Sequence, residues 1–94
     1  MALSESQIRF RMWLERYAPQ LKGLWDWEDK SVSLEAVERY IAAASHGEAV
    51  MCRFFVGVWL GRNDMGFDLI EAAAVLDKGQ REVISLWLAS PRWP

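Results

Sequence analysis

One cysteine, Cys52, and one histidine, His46, are all that the 94-residue chain has of either type. A lone thiol excludes an internal disulfide and a cysteine-based zinc site. Long apolar runs are missing as well. The longest, Ala49 to Leu60, covers twelve residues and contains Arg53, whereas a membrane span needs about twenty. Near the beginning, Glu5 and several polar residues precede any apolar run. This is not the charged-then-apolar layout of a signal peptide, so a cytoplasmic location is expected.

Neither charge is in excess. Residues 1–30 carry five basic and five acidic side chains, 31–61 carry two and three, and 62–94 carry four and five. Such a flat distribution makes no large positive field for non-specific nucleic-acid binding. The formal charge of −2 is also too small to imitate a phosphate backbone. Charge leaves the partner open.

The residues that are present describe a globular chain. Hydrophobic residues make up 52% and charged residues 26%, which is ordinary usage for a folded domain and not for a disordered one. The length fits one domain, residues 1–94, with a single core. Six tryptophans are many for this size. Each brings a large apolar area and one N–H that needs a partner, so some are expected in the core and others at a contact surface.

Capping chemistry gives the helix starts. Ser4 and Gln7 stand at capping-box spacing, with Leu3 and Ile8 placed to staple the turn. Phe10, Trp13, Leu14 and Tyr17 then recur on one helical face. Pro19 ends or kinks that helix, and Leu21, Leu24 and Trp25 continue the stripe beyond it. Residues 26–32 have no period and read as a loop. Ser33 caps the next helix, whose buried stripe is expected to be Leu34, Val37, Ile41 and Ala44. Ser45 and Glu48 start another, about 46–60. It is apolar nearly all round and must therefore be surrounded. Gly57 and Gly61 would admit a close neighbour, and Gly61 can also stop the helix. This spacing reads as packing within one chain more than as a dimer face, although a homo-oligomer stays open. Asp68 with Glu71, and Asp77 with Gln80, open two last helices; Val83, Ile84, Trp87 and Leu88 point inward and Pro91 closes the series. The class is all-α: a compact bundle of four to five short helices around the central helix at 46–60.

No catalytic, metal or cofactor signature is legible. General-base work by His46 would require an orienting group and a nearby nucleophile. Cys52 stands beside Arg53, which would favour the thiolate, but it lies in the most apolar helix, where a cysteine behaves as a small hydrophobe. The chain is therefore read as non-enzymatic, without metal or cofactor.

Protein binding is the favoured function. Trp25 and Trp27 flank Asp26 and cannot share one helical face, so at least one is expected at the surface. Trp93 stands in the tail Pro91–Arg92–Trp93–Pro94, which cannot be helical. Tryptophan and arginine dominate interface hot spots, making Trp25, Trp27, Arg92 and Trp93 the candidate partner contacts. The alternative is a helix-turn-helix DNA binder over residues 68–89, with Ala74, Ile84 and Trp87 near the positions that motif fills with small and apolar residues. Its nucleic-acid contacts would be Arg9, Arg16, Lys78 and Arg81.

From Ser45 onward the chain resembles a loose group of small bacterial proteins carried on plasmids, integrative elements and phages. The matching pieces are Ser45–His46–Gly47–Glu48, Arg53–Phe54, Val56–Gly57–Val58–Trp59–Leu60–Gly61, Phe67–Asp68–Leu69 and Leu76–Asp77. The resemblance covers roughly the second half and brings no assigned activity. It implies an accessory protein of a mobile element, a setting in which small proteins often bind and block a host protein.

Overall fold

Serine and aspartate caps set where each helix begins. In the computed structural model, which describes residues 2–94, α1 (Glu5–Tyr17) opens on the Ser4–Gln7 capping box, each residue's side chain bonding the other's backbone N–H. Phe10 and Leu14 are buried and Trp13 packs beside them. Tyr17, expected on the same face, is half exposed. Pro19 forces the chain to turn at Ala18, and Ala18 takes the buried place instead. A 3-10 helix, Pro19–Leu24, then carries Leu21 and Leu24 into the core.

The segment expected to be a loop forms a small antiparallel ribbon. β1 (Trp25–Asp26) pairs with β2 (Ser31–Val32), Trp25 opposite Val32 and Asp26 opposite Ser31. Asp26 Oδ1 accepts the Asp29 N–H at 3.0 Å, and Lys30 adopts a left-handed φ of 54° to close the turn. Strands of two residues are too short to leave an alternating pattern, which is why the sequence showed none.

Ser33 caps α2 (Leu34–Ala43) as expected. The buried stripe is rotated, however. Val37 is fully buried with Ala36, Tyr40 and Ile41 packed alongside, while Leu34 is half exposed. Leu34 is the first helical residue, and its Cβ tilts toward the N-terminus, off the end of the packed face.

The hub is α3 (His46–Leu60), opened by the Ser45–Glu48 capping box. Eight of its fifteen residues are buried, with Val50, Cys52, Phe55 and Val56 at zero exposure. Most of the apolar segment is covered, with Arg53, Gly57, Trp59 and Leu60 only partly buried. Gly61 adopts φ 72° and donates to Gly57 O at 2.9 Å, terminating the helix. Among the described residues no neighbouring helix packs closely on Gly57 or Gly61, contrary to expectation. A Cβ at Gly57 would meet only the Arg62 carbonyl, at an ordinary 3.5 Å, and one at Gly61 would meet nothing.

Asn63 braces the next turn through two hydrogen bonds to the Phe67 backbone. Asp68 caps α4 (Leu69–Val75), and the expected reciprocal bond from Glu71 is absent because its carboxylate meets His46 Nε2 at 3.1 Å. The Asp77–Gln80 box opens α5 (Lys78–Ala89), which buries Val83 and Ile84. Leu88, expected inward, is half exposed. The architecture is thus helical, five α-helices and one 3-10 helix, with one two-stranded ribbon among the described residues.

Burial pushes the Cys52 thiol up to about 11, against a smaller opposing pull from Arg53. The folded state therefore holds this proton more tightly than the unfolded chain, so stability falls as pH rises between about 9 and 11. Relative to Cys52→Ala, wild type should lose roughly 2–3 kcal/mol over that window in urea titrations. At neutral pH a thiol reagent should label Cys52 slowly in the native protein and quickly in denaturant.

Candidate functional site

Two concavities flank the C-terminal end of α5. The larger, about 1110 Å³, runs between α1 and α5. Buried Phe10, Met51 and Val83 and half-buried Trp13 and Trp87 line it, with Ser6 and Arg9 contributing polar atoms. The smaller, about 290 Å³, lies among the end of α3, the start of α4 and α5. Its lining surface is almost wholly apolar, and Gly57 and Gly61 belong to it.

The tail stands between them. Pro91 ends α5, and three contacts then lay residues 91–94 across the molecule. Trp87 Nε1 donates to Arg92 O at 3.0 Å, Ser6 Oγ donates to Pro94 O at 3.1 Å, and the Trp93 ring packs edge-on against Trp87 with centroids 5.0 Å apart. Trp93 lines both concavities and is 54% exposed. Leu69 and Leu88, each 51% exposed, line the smaller one with it.

The predicted contacts are not brought together as one patch. Trp25 is in the core at 6% exposure, against Phe10 and Trp59. It is thus removed from the outer surface assigned to it, because β1 turns its ring inward onto Phe10 and Trp59. Its Nε1 has no hydrogen-bond partner among the described residues. Trp27 is half-buried, stacked on Trp25 at 5.5 Å, with the Arg11 guanidinium 5.0 Å above its ring. Arg92 and Trp93 are exposed, in a tail held to α1 and α5.

The basic candidates are largely engaged. Arg9 pairs with Glu5 at 3.0 Å, and Arg81 Nη1 donates to Leu76 O at 2.6 Å, closing the end of α4. Arg16 lies 5.4 Å from the Tyr17 ring, and Lys78 is exposed at the first residue of α5. Ala74 is exposed, not packed between two helices as the small residue of a helix-turn-helix would be. His46 sits at the surface with Glu71, and neither it nor Cys52 lines a concavity. Among the described residues no three histidine, cysteine or acidic side chains gather as a metal site, and no helix is long and apolar enough to cross a membrane.

Sequence reasoning missed Ser6, Leu69 and Leu88 as parts of the site. Ser6 and Leu69 come from α1 and α4, far along the chain from the tail they meet, and Leu88, read as inward, is half exposed beside it.

No protein-family model matches the chain, and neither a curated protein nor a solved structure is similar to it.

Proposed function

We propose that the chain is a non-enzymatic, cytoplasmic binding module that engages a protein partner through the surface around Trp93. One observation carries this reading. Three large apolar side chains left half exposed, Leu69, Leu88 and Trp93, converge on one nearly polar-free hollow. Converging exposed apolar residues mark interaction surfaces, whereas scattered ones do not. An indole next to an arginine is also the composition of an interface hot spot. The resemblance of residues 45–77 supports a role as accessory protein of a mobile element.

Catalysis has little to stand on here, since the histidine is paired at the surface and the thiol is buried and protonated. The nucleic-acid reading is weakened by the engagement of Arg9 and Arg81 within the fold, which leaves few cations to meet phosphates.

Affinity capture from the native host tests the proposal. Trp93→Ala should lower partner recovery about thirtyfold, the scale of a hot-spot tryptophan, with an unchanged far-UV spectrum. Trp27→Ala, run in parallel, asks whether the ribbon forms a second contact. If Trp93→Ala recovers the same proteins as wild type in the same amounts, the surface is wrong.

A further inference from the structure

We propose that the hollow among α3, α4 and α5 docks a short segment of a protein partner that carries an acidic residue close to a large apolar one. The apolar side chain enters the hollow and the carboxylate meets Arg53. The inference rests on the reading of the chain as a protein-binding module and names the chemistry its surface selects. Its warrant is a charge asymmetry. The chain as a whole has thirteen acidic residues and eleven lysines and arginines. Yet two arginines, Arg53 and Arg62, line this hollow, and among the described residues no acidic side chain does.

The two arginines are not equivalent. Arg62 is exposed in the turn after α3 and is paired with Asp64, so its charge is already answered. Asp68, beside Leu69, is engaged as the cap of α4. Arg53 is half-buried on α3 and makes no ion pair among the described residues. Because the surface of the hollow is almost wholly apolar, Arg53 gives its methylene stem to the wall and keeps its guanidinium at the rim. A planar guanidinium takes a carboxylate through two parallel hydrogen bonds. Beside an apolar wall that attraction is less weakened by water than on an open surface.

The size of the hollow limits what enters it. Its volume is about 290 Å³, and a cavity of about 150 Å³ holds a benzene ring. One or two large side chains therefore fit. Leu69, Leu88 and Trp93 line it half exposed, so an entering side chain covers apolar area that water now meets. The larger groove between α1 and α5 carries no such charge preference, since Arg9 and Arg92 line it together with Asp77 and Glu82.

The test selects from a displayed library of random short peptides with the purified full-length protein, then measures binding of the most enriched peptide by calorimetry. Enriched peptides should carry Leu, Phe or Trp with Asp or Glu a few positions away. Arg53→Gln should weaken binding about tenfold, as loss of a hydrogen bond between charged groups does. Arg53→Lys keeps the charge without the planar fork and should fall between the two. Gly57→Leu should abolish binding with an unchanged far-UV spectrum. An added Cβ there meets only the Arg62 carbonyl at 3.5 Å, and the longer side chain stands in the hollow. Trp93→Ala should weaken peptide binding and partner capture alike. The proposal is overturned if nothing is enriched, if the enriched peptides show no excess of acidic residues, or if Arg53→Gln or Gly57→Leu binds as wild type does. The library contains no host protein, so a failed selection beside a successful capture removes this chemistry and leaves the broader reading in place.

Discussion

Replacing Phe55 with alanine should cost about 3–5 kcal/mol, the range for removing a large aromatic from a closed core. Phe55 is fully buried at the middle of α3, and its ring meets Trp13 at 4.5 Å, Phe54 at 5.4 Å and Phe10 at 6.4 Å. These neighbours come from α1 and from the adjacent position of α3, and they are held by their own contacts. They cannot collapse into the space, so the cavity persists. A domain of this size has about 5–15 kcal/mol in total, so the variant should sit close to unfolding. Urea titration followed by circular dichroism checks it. A loss below about 1 kcal/mol would mean that α3 is not the hub on which the other elements are packed.

Trp25→Ala should be nearly as damaging, again about 3–5 kcal/mol. Trp25→Phe is expected to stay within about 1.5 kcal/mol of wild type, because the area it gives up is offset by removal of a buried polar group. The contrast follows from the unpartnered indole nitrogen. The ring joins Phe10, Trp27 and Trp59 in one aromatic cluster, so its area matters. Its N–H makes no hydrogen bond among the described residues and is buried at a cost of about 1–3 kcal/mol. Phenylalanine gives up some contact area but removes that cost, and the two effects largely offset each other. Thermal melts of the two variants beside wild type separate the terms. If phenylalanine proved as damaging as alanine, the indole N–H would have to be making a favourable contact after all.

Much of the candidate site lay beyond reading from the chain. Trp93 and Arg92 were legible because a tail of two prolines cannot be helical and has to go elsewhere. Trp25 was not, since whether a tryptophan next to an acidic turn faces in or out depends on the ribbon that turns it. The tail's hydrogen bonds to Ser6 and Trp87 join positions more than eighty residues apart in one case and five in the other. Only the shorter of these is within reach of a local argument. Arg9 and Arg81 show the same limit from the other side. As residue types they suited phosphate, yet one is held by a carboxylate a turn away and the other by a carbonyl at the end of α4.

By itself the sequence determined where the helices begin and end, because caps and breakers act on backbone groups within four residues of themselves. Ser4, Ser33, Ser45, Asp68 and Asp77 each bond the N–H three positions on, and Pro19, Gly61 and Pro91 stop what precedes them. It also determined that the segment from Val50 to Leu60 would be enclosed, since no face of it could meet water without cost. The tertiary structure decided the rest: which side of α2 is buried, that the segment after the 3-10 helix becomes a ribbon, and that α1, α5 and the tail enclose a groove. Those outcomes depend on the shape of what is packed opposite, and periodicity along one chain carries no record of its distant neighbour.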